Sequence, residues 1–211
     1  MNHIRNLIVG MRKYQTVKPR RTQGMAVACL SSWRNASRRA VAALEFAMTL
    51  PIWVTMLLGT VDGTYCMLVN EKCDRIAYTI TDIVTQYQIV TITNLKDIVQ
   101  AASQEMQPFP FTNNGLVIIS SVYKPTGKNP IIEWQYSGGG ALVKSSRIGV
   151  TGGVPTLPNG LTLNDNDNVI ISEVYYNFTP IFLNAGLFTA NQIYRVAIYK
   201  PRLSLLINTP T

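Results

Sequence analysis

The chain has 211 residues, with 19 Lys plus Arg against 11 Asp plus Glu, a formal charge of +8. Charged residues are only 14% of it and hydrophobic ones 47%, a balance that excludes a disordered or highly solvated protein. The position of the charge decides what it means. Residues 1–39 hold nine basic side chains (Arg5, Arg12, Lys13, Lys18, Arg20, Arg21, Arg34, Arg38 and Arg39) and no acid, and the first acid in the chain is Glu45. Residues 40–211 carry ten basic and eleven acidic side chains, so the body of the protein is close to neutral. A nucleic-acid binder would have to use the 1–39 tail alone, where Tyr14 and Trp33 are the only aromatic interleaving, so no nucleic-acid partner is expected.

After the basic run, Ala40–Val61 is a 22-residue apolar stretch whose one ionisable group is Glu45. As a helix rising ~1.5 Å per residue it is about 33 Å long, enough to cross a bilayer core of about 30 Å. A basic flank on the N-terminal side alone is the positive-inside signature. It predicts a cytoplasmic leader at 1–39, a single transmembrane helix at 40–61 in a bacterial inner membrane, and an exported, periplasmic domain at 62–211. A buried core helix, a cleaved secretory signal and a twin-arginine signal at Ser37-Arg38-Arg39 compete with this reading. The run is long for a secretory signal, and Leu58-Gly59-Thr60-Val61-Asp62 lacks the small-residue pattern of a cleavage site. Pro51 is tolerable in a membrane helix, with a kink. Glu45 costs roughly 2.5–3.5 kcal/mol at mid-bilayer, so it needs either interfacial water one turn inside the membrane or a positive partner at its depth.

The run Arg39-Ala40-Val41-Ala42-Ala43-Leu44-Glu45-Phe46, followed by Leu50-Pro51 and then by Gly59, Asp62 and Gly63, resembles the processing site and apolar helix of type IV pilin-like proteins. More narrowly, it is similar to the TadE/TadG-like pseudopilins of the tight-adherence (Tad, or Flp) pilus. The resemblance implies cleavage by a prepilin peptidase between Ala40 and Val41, at a position where the family usually has Gly and this chain has Ala40. Val41 would become the N-terminus and Glu45 the fifth residue, followed by the aromatic Phe46. The new amino group of Val41 in one subunit would pair with Glu45 of a neighbour and set the register between helices. The implied function is that of a non-catalytic minor pilin-like subunit or assembly factor. Its implied partners are the membrane, other Tad pilus subunits and the peptidase, in a hetero- or homo-oligomer formed through the N-terminal helix. An unprocessed single-pass membrane protein presenting a periplasmic binding or adaptor domain remains the alternative.

Beyond Gly63 the helical pattern continues. Cys66, Val69, Cys73, Ile76, Ile80, Ile83 and Tyr87 recur at alternating spacings of three and four, an a/d-type seam that carries the helix to about residue 89. The seam serves either as a core face against the protein's own sheet or as a contact with sister subunits. A second helix is expected from Asn94, as cap, to about Met106, with Asp97 in a capping-box position. Its apolar face is Leu95, Ile98, Val99 and Ala102, and Pro108 and Pro110 stop it. Strands follow at Leu116–Tyr123, Ile131–Tyr136, Asn168–Asn177 and Gln192–Lys200. Leu203–Asn208 is a candidate extension of the last strand, and Ala141–Val150 a candidate short strand inside an exposed loop between Ser137 and Asn168. The expected fold class is α+β: a long N-terminal transmembrane and amphipathic helix, a second short helix, and an antiparallel β-sheet of four to five strands.

Catalytic chemistry has little to stand on. His3 is the only histidine and lies in the leader, so no Ser/His/Asp or Cys/His site is expected in the exported part. Cys66 and Cys73 lie two turns apart, about 10.5 Å, beyond disulfide reach of each other. They read as small buried apolar residues, or as an intermolecular bridge across a helix seam. Cys29 lies in the leader. Asn164-Asp165-Asn166-Asp167-Asn168 is oxygen-rich but lacks the glycine and distant Glu of a calcium loop, and reads as a polar turn. Asn177-Phe178-Thr179 fits a glycosylation sequon at a strand end, and Gly138-Gly139-Gly140 reads as a loop. No enzyme activity, metal or cofactor is expected.

Overall fold

The helical periodicity is met by one long element, α1 (Gln23–Val84). The computed structural model describes residues 23–182 and 191–210, with side chains from residue 40 onward except that of Asn159. His3, Cys29 and the nine basic side chains of the leader therefore lie outside what is described. The chain divides into two units, Met1–Val54 and Thr55–Thr211. The first contributes the helix up to Val54. The second begins about two turns before Asp62, because the last turns of the apolar run are already packed: Leu58, Gly59 and Val61 are half-buried and Asp62 is buried.

The helix starts well before Ala40, since no Gly or Pro interrupts residues 25–50. It ends at Val84, five residues short of the expected limit. Thr85 N–H still reaches the Thr81 carbonyl, but Gln86 and Tyr87 bond back only three residues. The carbonyls left open there are taken by the C-terminal tail: Arg202 N–H donates to Thr85 O at 3.1 Å, and Ser204 Oγ to Gln88 O at 2.8 Å.

The second helix, α2 (Ile92–Gln104), begins two residues earlier than expected. Its N-cap is Thr91, whose Oγ1 accepts the Asn94 N–H at 3.1 Å; Asn94 is the third helical residue, so Asp97 is not in a capping box. The buried residues are Leu95, Ile98, Val99 and Ala102. Lys72 on α1 donates to the Glu105 carbonyl at the end of α2. A single turn, α3 (Phe111–Asn114), which the sequence reading did not foresee, follows the prolines.

Four strands then form one antiparallel sheet: β1 (Gly115–Tyr123), β2 (Ile131–Gly138), β3 (Asn168–Phe178) and β4 (Asn191–Tyr199), in the order β2-β1-β3-β4. With the long apolar helix and the short one, this is an α+β architecture. A register shift between Ser121 and Val122 leaves Glu133 as an extra residue in β2. The bulge flips the strand's facing, so Trp134 points to the helices and Ile132 to the opposite side.

The central strands are buried on both faces. On one, Val117, Ile119, Ile170, Val174, Tyr176 and Phe178 pack with the helices into the main core. On the other, Leu116, Ile118, Val122, Val169, Ile171 and Tyr175 lie beneath the segment that runs back from β2 to β3, which contributes the buried Ile148 and Leu163. The expected surface loop over 137–168 is present, with most of its residues exposed, but it is also a cover layer, because Ile148 and Leu163 are laid into the sheet's second face. It contains no strand at Ala141–Val150, and Leu203–Asn208 does not extend β4. Both stretches are held by side chains instead. Leu206 O accepts Ser121 Oγ (2.6 Å) and Trp134 Nε1 (2.9 Å), and Leu206 N–H donates to Asn168 Oδ1. Gly140 lies so close to β1 that a Cβ there would sit 2.2 Å from the Gly115 oxygen, which is why the cover layer starts on glycines.

Candidate functional site

The apolar run has no protein to pack against along most of its length. Every residue from Ala40 to Leu57 is exposed, including Val41, Leu44, Phe46, Met48, Ile52, Trp53 and Met56. Removing one such large side chain from water is worth about 1.5–3 kcal/mol. A helix that leaves this many in solvent needs a non-aqueous surrounding or a partner. Among the described residues, one helix is long and apolar enough to cross a membrane, and it is this one. Its hydroxyls suit such a medium. Thr49 bonds to Phe46 O, Thr60 to Met56 O and Leu57 O, and Thr64 to Thr60 O, so they satisfy themselves on the helix without water.

Ala40, Val41, Glu45 and Phe46 all lie on α1 and all are exposed. No ion pair to Glu45 is formed among the described residues. Its charge thus sits one turn into the apolar run on an open helix face.

The seam residues have a different place. Val69, Cys73, Ile76 and Ile80 are 0% exposed, within the main core against the sheet. Cys66, Ile83 and Tyr87 pack against its rim, Tyr87 from beyond the end of the helix. The seam is therefore occupied by the protein's own domain. Cys66 and Cys73 are both free thiols. The opposite side of this stretch of α1 is the open one, with Met67, Glu71, Arg75 and Tyr78 exposed.

Two buried acids escaped the sequence reading as organising groups. Asp62, 3% exposed, ends the apolar run. Its carboxylate accepts the N–H groups of Ile181 (2.9 Å) and Phe182 (3.2 Å), tying the residues after β3 to α1. Glu173 is 0% exposed in the middle of β3. Its Oε1 accepts Arg147 N–H (2.9 Å), Tyr175 OH (3.0 Å) and Tyr194 OH (3.0 Å), while Oε2 takes the Ser146 hydroxyl. The Arg147 guanidinium lies 4.1 Å from the Tyr194 ring centroid. Burial, reinforced by the Glu173 charge, raises both tyrosine pKa values. The cluster fastens the cover layer to the sheet with every carboxylate oxygen engaged. The signal for Glu173 was present: it is the lone charge in the apolar strand Val169-Ile-Ile-Ser-Glu-Val-Tyr-Tyr.

The oxygen-rich turn is also committed. Asp165 pairs with Lys124 (3.0 Å) and Asp167 with Lys200 (2.9 Å), and each accepts a backbone N–H, from Gly127 and Asn164 respectively. Asn166 takes the left-handed conformation at φ 66°. No cluster of three metal-ligating side chains occurs among the described residues.

Searches of protein-family models, of curated proteins and of solved structures each find no match to this chain.

Proposed function

We propose that this protein is a membrane-anchored, non-catalytic subunit of a pilus-type assembly, with α1 crossing the bilayer once and residues 62–211 presented on the far side from the basic leader. The observation that carries the reading is the exposed apolar helix Ala40–Leu57, entered from an acid-free basic segment and carrying Glu45 one turn inside. Its order of features resembles that of the TadE/TadG-like pseudopilins, apart from Ala40 at the position before the cut. The domain's own core uses the seam from Val69 to Ile80, which leaves the apolar run as the helix surface for sister subunits.

Glu45 is the residue that gives the helix a register. Paired with a cation at the same depth, its cost of roughly 2.5–3.5 kcal/mol is offset only when neighbouring helices stagger correctly. Glu45→Ala should leave membrane insertion intact and abolish co-assembly with partner subunits, read as loss of piliation in the parent cell. Normal piliation in that variant rejects the registry role.

The second reading is an unprocessed single-pass protein presenting its domain as a binding or adaptor module. It is favoured by Ala40 at the residue before the cut. Mass spectrometry of the mature N-terminus separates the two. A chain beginning at Val41 supports the pseudopilin, and a chain that retains residues 1–40 supports the anchor.

A further inference from the structure

The Asp62 contact has a geometric consequence for the domain, one that rests on the membrane-spanning reading above. The apolar run of 22 residues is about 33 Å long against a hydrocarbon core of about 30 Å, and the headgroup layer on each side adds roughly 5–8 Å. Asp62, one residue beyond the run, therefore falls in the headgroup layer. The residues Ile181 and Phe182 hang on its carboxylate through their own N–H groups, at 2.9 and 3.2 Å, so their backbone is held at that same depth. Their side chains are 56% and 52% exposed, unlike the buried Phe178 and Pro180 just before them.

The surroundings fit the same medium. Beside Ile181 lies a cleft of about 360 Å³ lined by Tyr65, Phe109, Pro110, Phe178 and other uncharged residues. Tyr65 and Phe109 meet edge to face, with ring centroids 5.8 Å apart. No Asp, Glu, Lys or Arg occurs in 106–119 or in 174–182. Three of the four ion pairs among the described residues lie instead at the opposite end of the sheet. There β1 ends next to the Lys124–Asp165 and Lys200–Asp167 pairs, and Asp82 pairs with Arg202, about 30 Å farther along α1. An uncharged, aromatic-rich end facing the interface and a charged end facing water is the polarity of a surface that rests on lipid.

We propose that Ile181 and Phe182, with the uncharged rim around Tyr65 and Phe109, insert into the headgroup layer of the bilayer that α1 crosses. The domain then has two attachments to one membrane surface, the helix and this turn, and Asp62 joins them. The occupant is the lipid interface itself.

The test uses the unmodified full chain in phosphatidylcholine vesicles doped with a phosphatidylcholine that carries a diazirine near the glycerol end of one acyl chain. After photolysis, adducts are located by tandem mass spectrometry. Val150 and Val154, 70% and 64% exposed on the cover layer toward the far end of the sheet, serve as aqueous references. The expected result is adducts within 41–57 and at Ile181 and Phe182, with none at Val150 and Val154. Adducts within 41–57 together with labelling at Ile181 and Phe182 no greater than at the two valines overturns the seating of the turn and leaves the span standing. Absence of adducts within 41–57 overturns the span, and this inference with it.

Discussion

Glu173 shows what a single buried acid does when every oxygen is engaged. Its four donors come from β3, β4 and the cover layer, so it acts as a polar rivet between the sheet and its cover. Removing one partner from such a group leaves buried donors unsatisfied, at about 1–3 kcal/mol each. Glu173→Ala should therefore lower the unfolding free energy of the detergent-solubilised full chain by about 3 kcal/mol or more. Glu173→Gln, which keeps an acceptor, should lose less; near-ultraviolet circular dichroism against urea reads both. The neighbouring phenols make a pH prediction. Tyr175 and Tyr194 have folded pKa values raised above 10.0 by burial and by Glu173. The stability they contribute is full below pH 10 and is lost as pH rises beyond it, so the urea midpoint should fall in alkali. Asp165 and Asp167 carry the opposite sign. Hydrogen bonds from Lys124 and Lys200 hold them below 3.8. Their contribution is present above that value and is lost as pH falls through the folded pKa, so no loss from these pairs is expected between pH 7 and 5. A drop in midpoint over that range that Lys124→Ala and Lys200→Ala abolish contradicts the assignment.

At the scale of the element, α1 is one helix with two surroundings. Its stretch from Ala40 to Leu57 is exposed all round, whereas Val69, Cys73, Ile76 and Ile80 form a one-sided stripe buried against the sheet. The seam's period identified the stripe but not its partner, because an a/d repeat packs equally well on a sister helix or on a sheet. The two alternatives differ in what a truncation does to a single chain. Ile76→Ala should destabilise the monomeric, detergent-solubilised protein by about 2–5 kcal/mol, the cost of a core cavity. Met67→Ala, on the exposed side, should change it by no more than about 0.5 kcal/mol. Equal small effects would mean that the seam is not part of the monomer's core. The end of α1 carries a similar lesson. The last turn closes locally, through the three-residue bonds of Gln86 and Tyr87 and the Thr85 hydroxyl on Asp82 O, while the distant tail residues Arg202 and Ser204 take the Thr85 and Gln88 carbonyls just beyond it.

At the scale of the whole molecule, charge and apolarity are segregated along the chain. Nine basic residues precede the apolar run, and the remainder carries ten basic and eleven acidic side chains. If the chain is cut after Ala40, all nine leave with the leader. The mature protein should then focus below neutral pH, while the full chain focuses near 9.5. Isoelectric focusing of the membrane fraction reads this directly, and a mature form that still focuses near 9.5 rules out the cut.

The apolar span, the four strands to within a residue or two at most ends, and the apolar face of α2 were legible in the sequence. Each is a local periodicity, written by whether successive side chains face oil or water. Other features were not. The cap of α2 fell to Thr91 rather than Asn94, a local choice between neighbouring capping side chains, whereas the following two depend on residues distant in sequence. The surface segment 137–168 also covers the sheet, sinking Ile148 and Leu163 into it, because a two-faced sheet needs apolar material on its second side. Asp62 and Glu173 found donors some 120 and 26 residues away. Sequence alone determined that one helix is apolar enough for a bilayer and that a mixed α+β domain follows it. Only the tertiary structure decided that the seam faces inward and that Ile181 and Phe182 are tied to the end of the apolar run, because hydrogen-bond partners for buried groups are chosen by proximity in space, which the order of residues does not record.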